Sequence, residues 1–206
     1  MTVDLLAALV MFAFVTSVTP GPNNMMLLAS GVTYGFRATI PHMLGIALGF
    51  GFMLLMIGLG IGQVFAQFPW IYNALKIISV AYMLWLAWKI ATSGPMTAND
   101  GQANAKPMTF LQAAAFQWVN PKAWTMCLTA VSAYTVPSQF LTSMLVLTLV
   151  FTAVNLPAVS VWTMFGVGLR ELLADPRRVK VFNLAMAVAL VASLWPIIAE
   201  YVRFAP

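Results

Sequence analysis

Between Leu5 and Phe36 the chain carries no charged side chain, and in the middle of that stretch stands Thr19-Pro20-Gly21-Pro22-Asn23-Asn24. An uncharged stretch of that length is long enough to cross a bilayer as a helix. Two prolines each remove a backbone donor and disfavour the helical conformation of the residue before them, and Gly21 loosens the chain further. The sequence therefore predicts a helix that breaks at membrane depth, near Pro20. Irregular backbone survives there only if it is buried in protein or lines a water-filled cavity, and the amides of Asn23 and Asn24 offer compensating polar groups. A transporter would place a binding site at such a break.

The rest of the chain follows the same pattern. With 62% hydrophobic and 7% charged residues over 206 positions, the composition lies far from that of a soluble domain. Residues 38 to 75 and 123 to 169 contain no Asp, Glu, Lys or Arg, and each run is too long for a single span of about 20 residues. Alternating apolar and polar segments of about ten residues are absent, which argues against an outer-membrane barrel and leaves an all-α integral membrane protein. Leu5 to Val18 could be mistaken for a signal peptide. It lacks a basic region before it, Asp4 being the early charge, and Thr-Pro-Gly-Pro is a poor cleavage site, so it is read as mature sequence. A single cysteine, Cys127, excludes an intrachain disulfide and a cysteine-based metal site. The net charge of +5 does not point to nucleic acid, because the basic residues sit where a membrane protein places its cytoplasmic loops.

Six spans are expected, over residues 5 to 34 (broken near Pro20), 39 to 64, 70 to 91, 108 to 134 (broken near Pro121), 139 to 168 and 180 to 203. The segment Thr92 to Pro107, with Ser93, Gly94, Pro95, Asn99, Asp100 and Gly101, reads as a loop at the midpoint. The whole chain, 1–206, is then one transporter domain: a first repeat over about 1–92, a cytoplasmic loop over about 93–107 and a second repeat over about 108–206. Arg37, Lys89, Lys106, Arg170, Arg177, Arg178 and Lys180 all fall in or beside the first, third and fifth connections, whereas Arg203 lies at the opposite face. The positive-inside rule puts those connections in the cytoplasm and both termini outside. Three spans per half make the second half enter from the opposite side, which is the geometry of an inverted repeat. The first span of each half carries a proline beside asparagine, in Thr19-Pro20-Gly21-Pro22-Asn23-Asn24 and in Val119-Asn120-Pro121-Lys122. Interrupted helices in corresponding positions point to a site near the midplane.

A broken helix frees donors at one new end and acceptors at the other, with partial charges suited to a carboxylate and an ammonium group. A zwitterionic amino acid carries both. The bland alternative is that these are kinks that help the helices pack. Lys122 stands deep in its span and needs a partner or an aqueous cavity; it can pair with a substrate carboxylate, snorkel, or bond to carbonyls of the broken helix. Lys76 is close enough to the outer surface to snorkel. His42 follows Pro41 and is the one side chain whose ordinary pKa lies near neutrality, which makes it the candidate for proton coupling against a reading as an interfacial polar residue. No Asp or Glu lies deep in an expected span, so the usual carboxylate relay is missing.

Asn155-Leu156-Pro157 reads as a third polar break, with Asn155 lining the cavity or bonding to a neighbouring helix. Gly31 with Gly35, Gly45 with Gly49, and Gly58 with Gly62 allow helices to approach closely, for internal packing or, as the lesser reading, a homodimer interface. Trp70, Tyr72, Trp88, Tyr134 and Tyr201 fit an aromatic belt in contact with lipid. One His, one Cys and no embedded acid leave no metal set, no nucleophile-base pair and no implied cofactor. An enzyme, a channel and a metal or cation exporter are thereby disfavoured, and a non-transporting membrane scaffold or assembly subunit is the rival class.

Taken together, the Thr19 to Asn24 block, Gly35-Phe36-Arg37 after it, the glycine-rich span from Gly45, and Asn120-Pro121-Lys122 resemble the LysE/RhtB-type amino-acid exporter family nearly end to end. Met25-Met26-Leu27 and the stretch from Ala81 to Ser93 are similar to its cysteine/O-acetylserine branch. The resemblance implies a bacterial inner-membrane protein that expels small neutral amino acids or their derivatives, driven by the proton motive force. Where Asn23 stands, many members carry an acid, and this chain departs from that pattern.

Overall fold

Helix α1 (Val3–Val18) starts where the Thr2 side chain accepts the amide of Leu5 at 3.3 Å, and it stops two residues before Pro20. The computed structural model describes residues 1–61, 67–92, 107–171, 173 and 175–195, and these contain no strand. After the break the chain resumes as α2 (Pro22–Met56), with a proline at its first position, where the missing N–H costs nothing. The remaining helices are α3 (Pro69–Ala91), α4 (Phe110–Phe116), α5 (Pro121–Tyr134), α6 (Phe140–Leu169) and α7 (Pro176–Ala192). Among the described residues, three stretches, Pro22–Gly60, Asn73–Ala91 and Pro137–Leu169, are long and apolar enough to cross a membrane.

Helix α2 is two helices joined end to end at Gly35, whose φ of 79° and ψ of 175° only glycine adopts readily. Ser30 Oγ and Thr39 Oγ1 are 2.9 Å apart, whereas nine residues of straight helix would separate them by about 13.5 Å along the axis. The chain therefore folds back on itself there, and Leu27 of the first arm shares a core cluster with Met43 and Ile46 of the second. Both arms pack on α6. The first crosses it so closely that a Cβ on Gly31 would strike the Thr163 carbonyl, and one on Gly166 the Leu28 carbonyl. The second runs antiparallel to it, with Gly51 beside Thr152 and Gly58 beside Met144. Gly45 and Gly49 meet α4 at Phe110, Ala113 and Ala114, so the glycine pattern is one of internal packing, with Gly35 used for the turn instead.

The interior divides between two larger clusters. One joins Leu9 and Ala13 of α1, Phe50 and Met53 of α2, Trp124 and Cys127 of α5, and Leu147 and Phe151 of α6. The other holds α3 against α7 through Met83, Ala87 and Leu190, with Leu194 just past α7 and Met25 and Phe116 reaching in from the two breaks. Trp70 and Trp88 are exposed, as an aromatic belt requires, while Tyr134 turns inward against Phe12 at 5.5 Å.

Two expectations are corrected. Asn155-Leu156-Pro157 is no break, since α6 runs unbroken through Pro157. A proline there removes one backbone donor, and the bonds on either side carry the helix on. His42, expected as an interfacial polar residue, is not open to its surroundings but buried at 2% exposure in the second arm of α2. The loop expected at 93–107, apart from Pro107, lies outside the described residues, as do Gly62, Glu200, Tyr201, Arg203 and the side chains of Tyr72 and Lys76.

Candidate functional site

The first break exposes the carbonyl end of α1 and the amide end of α2. The carbonyls are occupied by side chains from three directions. Asn24 Nδ2 donates to the carbonyls of Ser17 (3.0 Å) and Thr19 (2.9 Å). Trp162 Nε1, from α6, donates to Val18 at 3.2 Å, and Lys122 Nζ donates to Thr19 at 2.5 Å. The amide end is left open. Gly21 caps α2 without a side chain, Pro22 has no N–H, and the first-turn amides of Asn23 and Asn24 have no carbonyl within the helix to receive them.

The second break lies between the 3-10 turn Gln117–Val119, which continues α4, and the start of α5. Asn120 caps α5 by accepting the Lys122 amide on its side chain at 3.1 Å. Here too an indole covers a freed carbonyl, with Trp124 Nε1 donating to Trp118 at 2.8 Å. Each restarted helix begins with proline followed by a polar residue, Pro22-Asn23 and Pro121-Lys122.

A reciprocal amide pair ties the breaks together. Asn23 Nδ2 donates to Gln117 Oε1 at 2.8 Å, and Gln117 Nε2 donates to Asn23 Oδ1 at 3.2 Å and to the Ala113 carbonyl at 2.9 Å. Gln117 is fully buried, while Asn23 is half-buried and carries the network to the edge of the cavity.

Between the breaks lies a narrow cavity of about 30 Å³, room for about one water molecule, so a solute enters only as the breaks move apart. Of the residues singled out in the sequence, Gly21, Pro22, Asn23, Asn24, Asn120, Lys122 and Asn155 line it. Thr19, Pro20 and Pro121 build the breaks without lining the cavity, though the Thr19 carbonyl holds Lys122. His42 stands away from it, with neither ring nitrogen hydrogen-bonded. Sequence reasoning missed Ser17 and Thr16, one turn before the break, and Phe50, which forms part of the wall. It also missed Gln117, whose only sequence signal is a polar residue four positions before Pro121. Roomier hollows beside Trp88 and beside Trp70 are lined by apolar residues alone and offer no polar recognition.

Among the described residues, Lys122 is the one charged side chain lining the cavity. Its stem lies against Gly21, where a Cβ would sit 2.7 Å from Lys122 Cδ and 3.1 Å from Nζ. The ammonium group therefore stands over the amide end of α2 and beside the start of α5. Two helix N-termini and a lysine make a positive pocket matched to a carboxylate.

The LysE type translocator family model matches residues 14–193. The cysteine/O-acetylserine efflux proteins of Escherichia coli strain K12 and Salmonella typhimurium strain LT2 are each 39% identical to this chain over 138 residues, which is 66% of the chain and 69% of each relative. No solved structure matches the chain.

Proposed function

Because the chain belongs to the LysE type translocator family and is an amino-acid exporter of the bacterial inner membrane, not an enzyme, we propose that its cargo is a small neutral amino acid or derivative. Cysteine and O-acetylserine lead, after the names of its relatives, with threonine and homoserine as similar solutes. The observation that carries this reading is the cavity where the amide end of α2, the start of α5 and Lys122 converge. The substrate carboxylate binds there, among Gly21, Pro22, Asn23, Asn24, Asn120 and Lys122, with Thr19, Pro20 and Pro121 shaping the breaks and Asn155 forming the opposite wall. A single positive side chain favours a solute with one carboxylate.

The six-span reading divides the helices as α1 with the first arm of α2, the second arm of α2, α3, α4 with α5, α6, and α7. Both termini then lie in the periplasm, and residues 1–92 and 108–206 form the two inverted repeats of one domain. The turn at Gly35 and the matched breaks at Pro22 and Pro121 support this division. Alternating access follows from one repeat rocking against the other about the cavity. Coupling to protons would fall to His42, the buried imidazole without a hydrogen bond, and a His42→Gln variant that keeps gradient-driven export would remove it from the scheme. A homodimer would use the exposed apolar faces, since Gly31, Gly45, Gly49, Gly58 and Gly166 are consumed in internal contacts.

The test is efflux from proteoliposomes preloaded with labelled cysteine, O-acetylserine, threonine, homoserine, leucine, lysine or arginine, with and without an imposed proton gradient. Gradient-dependent loss of a small neutral amino acid is expected. Flux of lysine or arginine in preference would overturn the assignment.

A further inference from the structure

Two residues of the cavity wall each carry a buried polar atom without a hydrogen-bond partner. Ser17 Oγ, in the last turn of α1, and Asn155 Oδ1, in the middle of α6, make no hydrogen bond, although both residues are more than nine-tenths buried. Both line the cavity. A buried polar atom without a partner is costly, and both residues share the cavity wall with Lys122. The acceptors that a broken helix would be expected to offer an ammonium group, the carbonyls of Ser17, Val18 and Thr19, already receive Asn24, Trp162 and Lys122. Lys122 would moreover repel a second cation placed at Thr19.

We propose that Ser17 Oγ and Asn155 Oδ1 form the subsite for the substrate's ammonium group, and that this pair selects solutes bearing a free primary amine. The inference rests on the exporter reading above and deepens it. An ammonium group has three donors, two of which satisfy the orphaned acceptors, while the carboxylate of the same zwitterion faces Lys122 and the amide end of α2. A 2-hydroxy acid supplies one donor and leaves one acceptor unpaired. An N-acetyl amino acid supplies one donor and adds bulk. Neither acceptor is charged, so binding is strong enough to select the amine and weak enough to release it.

The rival occupant is a water molecule bridging the two acceptors, which would make them structural. The experiment uses the full-length protein in proteoliposomes and compares cysteine with its 2-hydroxy analogue 3-mercaptolactate and with N-acetylcysteine, as labelled cargo and as competitors. Wild type should favour cysteine over both by about tenfold or more, the size of a lost hydrogen bond to a charged group. Ser17→Ala and Asn155→Leu should each raise the KM for cysteine about tenfold and bring the ratio of cysteine to 3-mercaptolactate towards one. Asn155→Asp keeps the acceptor and adds charge, so it should lower the KM for cysteine and slow release; it serves if Asn155→Leu fails to fold. Variants that lose rate but keep the wild-type preference for the amine would assign the pair to water and overturn the proposal. Wild type that moves no amino acid at all would instead overturn the exporter reading on which the proposal rests.

Discussion

Lys122 is held by geometry that two substitutions can separate from its charge. Its ammonium group reaches the Thr19 carbonyl because Gly21 leaves room for its stem. Gly21 itself has φ −171° and ψ 178°, extended backbone that any residue accepts, so Gly21→Ala acts through the side chain it displaces. We expect Gly21→Ala to reduce export while the protein elutes as a folded species in detergent, and Lys122→Met to reduce it by about tenfold or more, a charged hydrogen bond being lost in each. The double variant should be no worse than Lys122→Met, since one lost contact cannot be lost twice. Additive losses would show that Gly21 has a role of its own. Thr19 keeps the Asn24 bond in both variants, which is why the fold should survive. Gln117→Leu leaves the Asn23 amide unpaired, yet interhelical hydrogen bonds in membranes are worth only about 0.6 kcal/mol on average. Its thermal midpoint should fall by a few degrees at most. A larger loss of export than of stability would identify Gln117 as the residue that positions the two breaks.

At the scale of elements, the prolines mean different things in different company. Pro20, Gly21 and Pro22 together end one helix and start another, and Asn120-Pro121 does the same, so both breaks were legible as runs of missing donors and flexible backbone. Pro157 was not, because Asn155 before it resembles the other motifs while the helix absorbs a lone proline. Residues 35 to 38 were legible as a connection from Arg37, but the single-residue reversal at Gly35 was not, since one glycine among several carries no mark of its φ. Ser17 and Gln117 escaped notice because their importance lies in what the other half of the chain brings against them. Replacing Pro20, Gly21 and Pro22 together by Ala should heal the helix and abolish export without loss of expression in the membrane; unchanged export would reduce the break to a packing kink. Gly35→Ala tests the turn. No atom lies within 4 Å of the added Cβ, so the cost is the backbone conformation alone, about 1–3 kcal/mol, read as a lower thermal midpoint. Gly168→Ala, equally uncrowded but helical and with no positive φ, is the control and should leave the midpoint unchanged or raise it slightly.

Across the whole molecule, contacts at the two ends of α6 fix which turns share a face. The Met1 ammonium group donates to Gln139 Oε1 at 3.3 Å, which sets the N-terminus beside the turn that precedes α6. At the other end, the crossing of Gly31 over Thr163 and Gly166 brings the Gly35 turn, with Arg37, towards Arg170. Arg37 and Arg170 therefore lie towards the end away from Met1, which is the end the proposed orientation puts in the cytoplasm. Labelling by a membrane-impermeant maleimide tests this directly, because Cys127 is fully buried and silent. Ser138→Cys, exposed beside Gln139, should react in intact cells, whereas Thr92→Cys, exposed after α3, should react only once the membrane is opened. The reverse pattern would invert the protein in the membrane while leaving the fold intact. Reaction of both sites in intact cells would remove one span between them, and with it the inverted repeat proposed to match Pro22 with Pro121.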